Sequence, residues 1–499
     1  MPPKRVASRK RLLPKSQKIP STSRLELARS PFVLARDAPI GNLPLFSFRL
    51  RPSTITRGRK VEDFYSDKSR IIFCSSFRRL MQKAQVFSLE SNTSVRNRLT
   101  HSIEVADIGR TLARHAGKGL QSARLASEEE VQCMETIVES ACLLHDIGNP
   151  AFGHFGEEAI KDWFDRHGIE LLLQGEDELP LGLTDELRLN HFRLFDGNAQ
   201  SFRIATRLHC EVDEYGLNLT SSTLLASIKY PNCGRIESDA LFPKKLGVFF
   251  SEKQRYETVA EIASLAPGRR YFLAYLMELA DDICYCLSDI TDSFEKGVTN
   301  SREFKEEFRR ICSENEVDDK RFVPQTPISN FGYEVGIRIA RLLIHEAATE
   351  FVTNFDRYLS GDAPEMTEVL PSGIILKCLK IFARRFIYTN REAQRIEIAG
   401  ARVVEGLLDH FGRLLLLSRA EFAHFVEKGD VLKRRGLDTE WRIFNQLSKR
   451  MLQVYQHDTR SCSDSEERIC RARFIVDYIS GMTDNSALET YQNFMGISL

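Results

Sequence analysis

The chain reads as mainly α-helical: a helical core followed by a largely helical C-terminal subdomain. Three observations predict this class. Apolar residues recur at helical spacing through most of the chain. Hydrophobic residues make up 42% of 499, enough for a large core with room for two subdomains. No internal repeat or long low-complexity tract interrupts the pattern, and only GIILKCLKIF and RIEIAG suit a short strand pair.

The elements follow in chain order. The first 25 residues hold eight lysines and arginines and no acid, so residues 1–30 are expected to form a disordered basic arm. Such an arm suits electrostatic contact with nucleic acid, or is simply a solvated tail. A core domain is expected over 55–300, with loops around 88–96, 148–156 and 175–190, the last containing the acidic GEDELP. Within it, Val105, Ile108 and Leu112 mark one helix face, Met134, Ile137, Val138, Ala141 and Leu144 a second, and Leu276, Leu279, Ile283 and Leu287 a third. The charged stretch NSREFKEEFRRICSENEVDDKRF suits a boundary near 300–325. A subdomain over 301–499 then continues with Ile337, Ala340, Leu343 and Ala347 on one face and packs back on the core.

Bulk charge excludes little, since the formal net charge is +1. No run of about 18 apolar residues suggests a membrane span, and the N-terminus lacks a hydrophobic signal core. Eleven cysteines, without a CxxC pair, read as reduced thiols. A soluble cytoplasmic protein that does not engage a membrane is expected.

HDIGNPAFGHFGEEAI, from His145 to Ile160, gathers two imidazoles and three carboxylates around Gly and Pro. Adjacent residues on a helix diverge by about 100°, so His145 and Asp146 meet one ion only where the helix ends. Gly148, Asn149 and Pro150 supply that ending. Divalent ions want at least three protein ligands. His101, just inside a second amphipathic helix and three residues after Arg98, is one candidate. Asp281, Asp282 and Asp289 interrupt an apolar helix where unpaired carboxylates are costly. Asp281, Tyr285 and Asp289 share a stripe, which favours Asp281 as the ligand and leaves Asp282 beside the site or on the surface.

The spacing of His101, His145-Asp146 and Asp281 resembles the HD superfamily of metal-dependent phosphohydrolases. FRRLMQKAQVF, RNRLTHSIEVADIGR, HDIGNPAFGHFGEEAI, FDGNAQSFR, LNLTSSTLLASIKYP, YLMELADDICYCLSD and DYISGMTD occur in an order similar to the deoxyguanosine triphosphate triphosphohydrolases, from about residue 60 to about residue 485. The resemblance implies water attack at the α-phosphorus of dGTP, releasing deoxyguanosine and inorganic triphosphate. It also implies that His101, His145, Asp146 and Asp281 hold one divalent ion, Mn²⁺ or Mg²⁺, while His154 and Glu157 assist the attacking water. By the same match, Gln85 and Asp289 recognise the deoxyribose 3′-hydroxyl and Tyr285 packs under the sugar. Arg98, Lys229 and Lys245 contact the triphosphate, with Asn198 near the phosphates. Asp196 stands where the family pattern has Glu, and Ala151 where a second Pro is common.

The resemblance further implies a homo-oligomer, a hexamer by analogy. Arg384, Arg385, Lys433, Arg434 and Arg435 suit a single-stranded DNA groove or a nucleotide effector site. Two other readings compete: a non-selective dNTP triphosphohydrolase or a nucleotide phosphatase cutting elsewhere, and a single-stranded nucleic-acid binding protein with residual catalysis.

Overall fold

The structure, a computed structural model, describes residues 43–55, 57–173, 183–209, 213–237, 240–322, 331–428 and 436–497. The basic arm, the GEDELP segment and Lys433, Arg434 and Arg435 lie outside the described residues. Among the described residues every regular element is a helix, and β-pairing is limited to isolated bridges.

The helices that carry the argument are α1 (Val61–Phe73), α2 (Arg98–Ser122), α3 (Glu128–Leu144), α4 (Gly153–Trp163), α5 (Leu183–Arg193), α6 (Gly197–Arg203), α7 (Ser221–Ala226), α8 (Ala274–Glu295), α9 (Ser301–Glu314), α10 (Phe331–Thr353), α11 (Ile374–Phe382), α12 (Arg391–Gly412), α13 (Asp464–Ser480) and α14 (Asp484–Phe494). Local chemistry sets their starts. Asn97 and Thr100 form a capping box on α2, Ser127 and Glu130 on α3, Ser463 and Glu466 on α13, and Thr483 and Ser486 on α14.

Two apolar cores organise these helices. One is built from α1, α2, α3, α7, α8, α9, α10 and α11 and takes its last residue of the α3 segment at Ile147. The other begins at Ala151 and Phe152 and joins α4, α5 and α6 to α12, α13 and α14. The turn after α3 therefore crosses the seam between them. Far-separated segments lock this seam. Arg203 of α6 grips Asp477 of α13 through Nε at 3.0 Å and Nη2 at 2.7 Å, and also bonds Glu252. Asp484 accepts from the Phe152 amide at 2.9 Å and the Ala84 amide at 3.0 Å. Lys83 donates to the carbonyls of Asn149 at 2.5 Å and Ser480 at 2.9 Å.

Several sequence expectations are corrected. GIILKCLKIF and RIEIAG are not strands but lie in α11 and α12. In the first, Ile375, Leu376, Cys378, Leu379 and Phe382 are buried at helical spacing, and its β-branched residues are overridden by packing. The loop expected over 175–190 gives way to α5 from Leu183, and that expected over 148–156 ends where α4 begins at Gly153. The charged stretch after residue 300 forms α9, which buries Phe304, Phe308, Ile311 and Cys312.

Gly148 makes the seam possible. A Cβ there would come within 2.2 Å of both the Gly197 carbonyl oxygen and the Ser201 amide nitrogen, so α6 is seated directly on the turn. Gly148→Ala should cost about 1–3 kcal/mol, as overpacking against backbone does. The cost is read as an earlier urea transition, whereas Gly58→Ala, with nothing within 4 Å of the added carbon, should leave the transition in place.

Candidate active site

Helix α3 ends at Leu144, and its C-cap His145 carries the first site group. Asn149 closes the following turn through its amide on the Asp146 carbonyl at 3.2 Å. Phe152 and Gly153 then take left-handed backbone at φ of 60° and 56° to start α4. Gly153 suits that conformation, and a side chain there would meet the Arg98 guanidinium at 2.8 Å.

The His145-Asp146 turn faces α2 and α8. Ligand atoms of His101, His145 and Asp281 lie within 4.8 Å of one another. His101 Nε2 is 3.1 Å from Asp281 Oδ1, and His145 Nε2 is 3.4 Å from the same oxygen and 3.5 Å from Asp146 Oδ1. His145 Nδ1 donates to the Cys142 carbonyl at 2.6 Å, which leaves its Nε2 lone pair aimed at carboxylate oxygens without a hydrogen bond. A lone pair facing carboxylates in a buried pocket calls for a cation between them, so these donors fit a divalent ion. Asp146 also accepts from Arg98 at 2.7 Å and from Asn149 Nδ2 at 2.5 Å. Asp282 turns away to Lys380 at 2.8 Å.

Charge distribution follows burial. Burial works against ionised Asp281, but Lys229, His145 and His101 outweigh it and hold its pKa well below the usual carboxylate range. Burial also opposes the His145 imidazolium, and Asp146 and Asp281 outweigh it and raise that pKa. Lys229 is in direct contact with Asp281.

A cavity of about 1060 Å³ opens beside this cluster. Its wall includes Gln85, Arg98, His145, Asp146, His154, Glu157, Asn198, Lys229, Lys245, Asp281 and Tyr285, so most of the sequence-predicted residues converge on one space. His101 is fully buried and meets the cluster without lining the cavity. His154 Nδ1 donates to Glu157 at 3.1 Å, and this bond raises the His154 pKa. Glu157 is itself fixed by the Gly197 amide at 2.8 Å. Lys245 lies 3.0 Å from Asp196 and 3.9 Å from Glu157. The shorter Asp196 side chain still accepts from the Asn198 amide at 2.9 Å and from Asn198 Nδ2 at 2.6 Å.

Asp289 sits behind the wall. The Tyr388 hydroxyl bonds Asp289 and lies 2.5 Å from the Tyr285 hydroxyl, and Tyr388 lines the cavity although sequence reasoning passed it over. Arg384, grouped by sequence with an effector or DNA groove, lines this same cavity, while Arg385 pairs with Glu314 at 3.0 Å. Gln394, Glu397 and Ile398 of α12 complete that wall. None of these carries a local motif. The signal for the seam residue Asp484 was present, because it ends the DYISGMTD string.

Burial raises the Asp289 pKa from 3.8 to about 7. The folded chain therefore holds an extra proton between those values, so this group's stabilisation is full below pH 4 and falls as pH rises to about 7. Asp289→Asn removes that slope. The variant's urea stability relative to the parent should increase from pH 4 to pH 7, and a constant difference across that window would contradict the assignment.

The chain matches the HD domain model over residues 98–228 and the Phosphohydrolase-associated domain model over residues 441–493. It is 34% identical to a deoxyguanosinetriphosphate triphosphohydrolase of Enterobacter sp. (87% of this chain, 94% of the relative). It is 31% identical to a probable deoxyguanosinetriphosphate triphosphohydrolase of Pseudomonas aeruginosa (87% and 92%). A deoxyguanosinetriphosphate triphosphohydrolase-like protein of Listeria monocytogenes is 30% identical (90% and 98%). With an HD domain centred on this site and similarity along almost its whole length, the chain belongs to the deoxyguanosinetriphosphate triphosphohydrolase family of hydrolases.

Proposed function

We propose that the chain hydrolyses dGTP to deoxyguanosine and inorganic triphosphate by water attack at the α-phosphorus, with one divalent ion, Mn²⁺ or Mg²⁺. The observation that carries this reading is the convergence on one cavity of a His-Asp cluster, a His154–Glu157 pair and four cationic side chains, Arg98, Lys229, Lys245 and Arg384. His101, His145, Asp146 and Asp281 would hold the ion, which when bound polarises the phosphate and orients the water.

The chain's own residues supply the rest. Arg98, Lys229 and Lys245 bring positive charge to the triphosphate. His154 moves a proton, and its raised pKa favours the charged form that protonates the departing 5′-oxygen. Glu157 holds that imidazole in place. Gln85 Oε1, on the cavity wall, is a buried acceptor without a donor, which suits a sugar 3′-hydroxyl, and Asp289 supports that wall from behind through Tyr388. Tyr285 and Tyr388 already use their hydroxyls on one another and on Asp289. A ribose 2′-hydroxyl pressed on the Tyr285 ring would lose water against an apolar face, and deoxynucleotides are favoured.

Base choice is assigned to Glu397. Its carboxyl is partly buried, burial raises its pKa, and no cation pairs with it among the described residues. Guanine alone among the four bases offers two adjacent donors, N1–H and the 2-amino group, to one carboxylate. The ten described cysteines are free thiols, in keeping with work in the cytoplasm.

Product analysis tests the reaction. Purified chain with each dNTP and GTP, in Mn²⁺ or Mg²⁺, should release intact triphosphate fastest from dGTP, and EDTA should abolish turnover. Deoxynucleoside diphosphate with orthophosphate would overturn the α-phosphorus chemistry. Glu397→Ala should lower kcat/KM for dGTP about tenfold more than for the other dNTPs. An equal loss across all four would remove Glu397 from base recognition.

A further inference from the structure

A second cavity, of about 310 Å³, shares no lining residue with the substrate cavity. Its polar wall consists of Ser75, Ser76, Arg79, His209, Ser448, Arg450 and Asp477. Arg79 donates to Ser76 Oγ at 2.9 Å, and among the described residues no carboxylate pairs with it. Its charge is poorly compensated: burial lowers its pKa, and the neighbouring Arg450 and Arg78 add to that effect. Arg450 Nη1 donates to Ser75 Oγ at 3.3 Å, and His209 Nε2 lies 3.5 Å from the same hydroxyl. The carboxylate on this wall, Asp477, is held by Arg203 and Gln200 and does not answer the charge of Arg79.

A partly buried guanidinium that meets no acid among the described residues, facing a second guanidinium and a row of hydroxyls, is completed by an anion with several acceptor oxygens. We propose that this cavity binds a phosphoryl anion, with Arg79 and Arg450 supplying charge and the serine hydroxyls and His209 supplying further hydrogen bonds. The shared chemistry is a phosphate group, carried by inorganic phosphate or triphosphate or by a small nucleotide. Two short paths connect this site to the active-site turn. Residues Leu80–Gln82 run from Arg79 to Lys83, which holds the Asn149 carbonyl. Gly481, on the cavity wall, follows Ser480, whose carbonyl takes the other Lys83 bond. An anion here sits next to the linkage that pins the His145-Asp146 turn, and the assignment does not depend on which nucleotide the active site cleaves.

Calorimetric titration of the full chain in EDTA with orthophosphate, inorganic triphosphate and dGMP tests this. Arg79→Met should weaken one set of sites about tenfold. So should Arg450→Gln, an exposed substitution that spares the fold. Lys245→Gln, in the substrate cavity, should leave that set unchanged. Similar losses for orthophosphate and dGMP identify free phosphate as the source, and a loss confined to dGMP identifies a nucleotide. Unchanged affinities for all three ligands in both arginine variants, or no such set of sites in the parent chain, would overturn the proposal.

Discussion

Asp281 is a carboxylate held inside an apolar helix, and the site depends on how that charge is met. An ion of this kind costs several kcal/mol to bury unless it is paired. Helix α8 buries Ile283, Cys284 and Cys286 within five residues of it, so water cannot meet the charge from those sides. Instead His101 on α2, His145 at the end of α3 and Lys229 after α7 converge on its two oxygens. Three helical segments are thereby held to one point, and the group that constrains the fold also stands where a metal-dependent hydrolase needs a ligand.

The same economy appears at the seam between the two cores. The turn from His145 to Phe152 leaves one core and enters the other, and an unsupported turn across such a junction would have many conformations. Lys83, Asp484, Arg203 and Asp477 prevent this with bonds to backbone and to each other. Buried networks of this kind contribute less to net stability than to keeping one arrangement, since removing one partner leaves an uncompensated charge. Helices α13 and α14 consequently form part of the site's scaffold without lining the cavity themselves, whereas α12 supplies Gln394, Glu397 and Ile398 to its wall.

The cavity is chemically mixed. Its lining combines imidazoles, carboxylates and the cations Arg98, Lys229, Lys245 and Arg384 with the ring and aliphatic surface of Tyr285, Tyr388 and Ile398. A nucleoside triphosphate is mixed in the same way, with its charge concentrated in the phosphates. His154 lines this cavity, exposed enough to reach a ligand while the buried Glu157 fixes its ring.

Much of this was legible in the sequence because the informative signals are local. Helix spacing, the Gly-Asn-Pro stop after Asp146 and the Asp281–Tyr285–Asp289 stripe follow from 3.6 residues per turn and from what Pro and Gly permit. They set the helical class, the sharp turn and the choice of Asp281 over Asp282. Where local pattern was weak it misled: β-branched residues in α11 and α12 suggested strands, and the charged surface of α9 hid the four apolar residues it buries. Tyr388, Arg384 and Glu397 had no local signature, since their places on the cavity arise only when the segment after α11 packs on α8 and α12 packs on α4. Sequence by itself determined which groups could hold a cation and move a proton. Tertiary structure alone decided which of them share a cavity, because burial, the direction of each side chain and the pairing of distant charges exist only after the two cores have closed on one another.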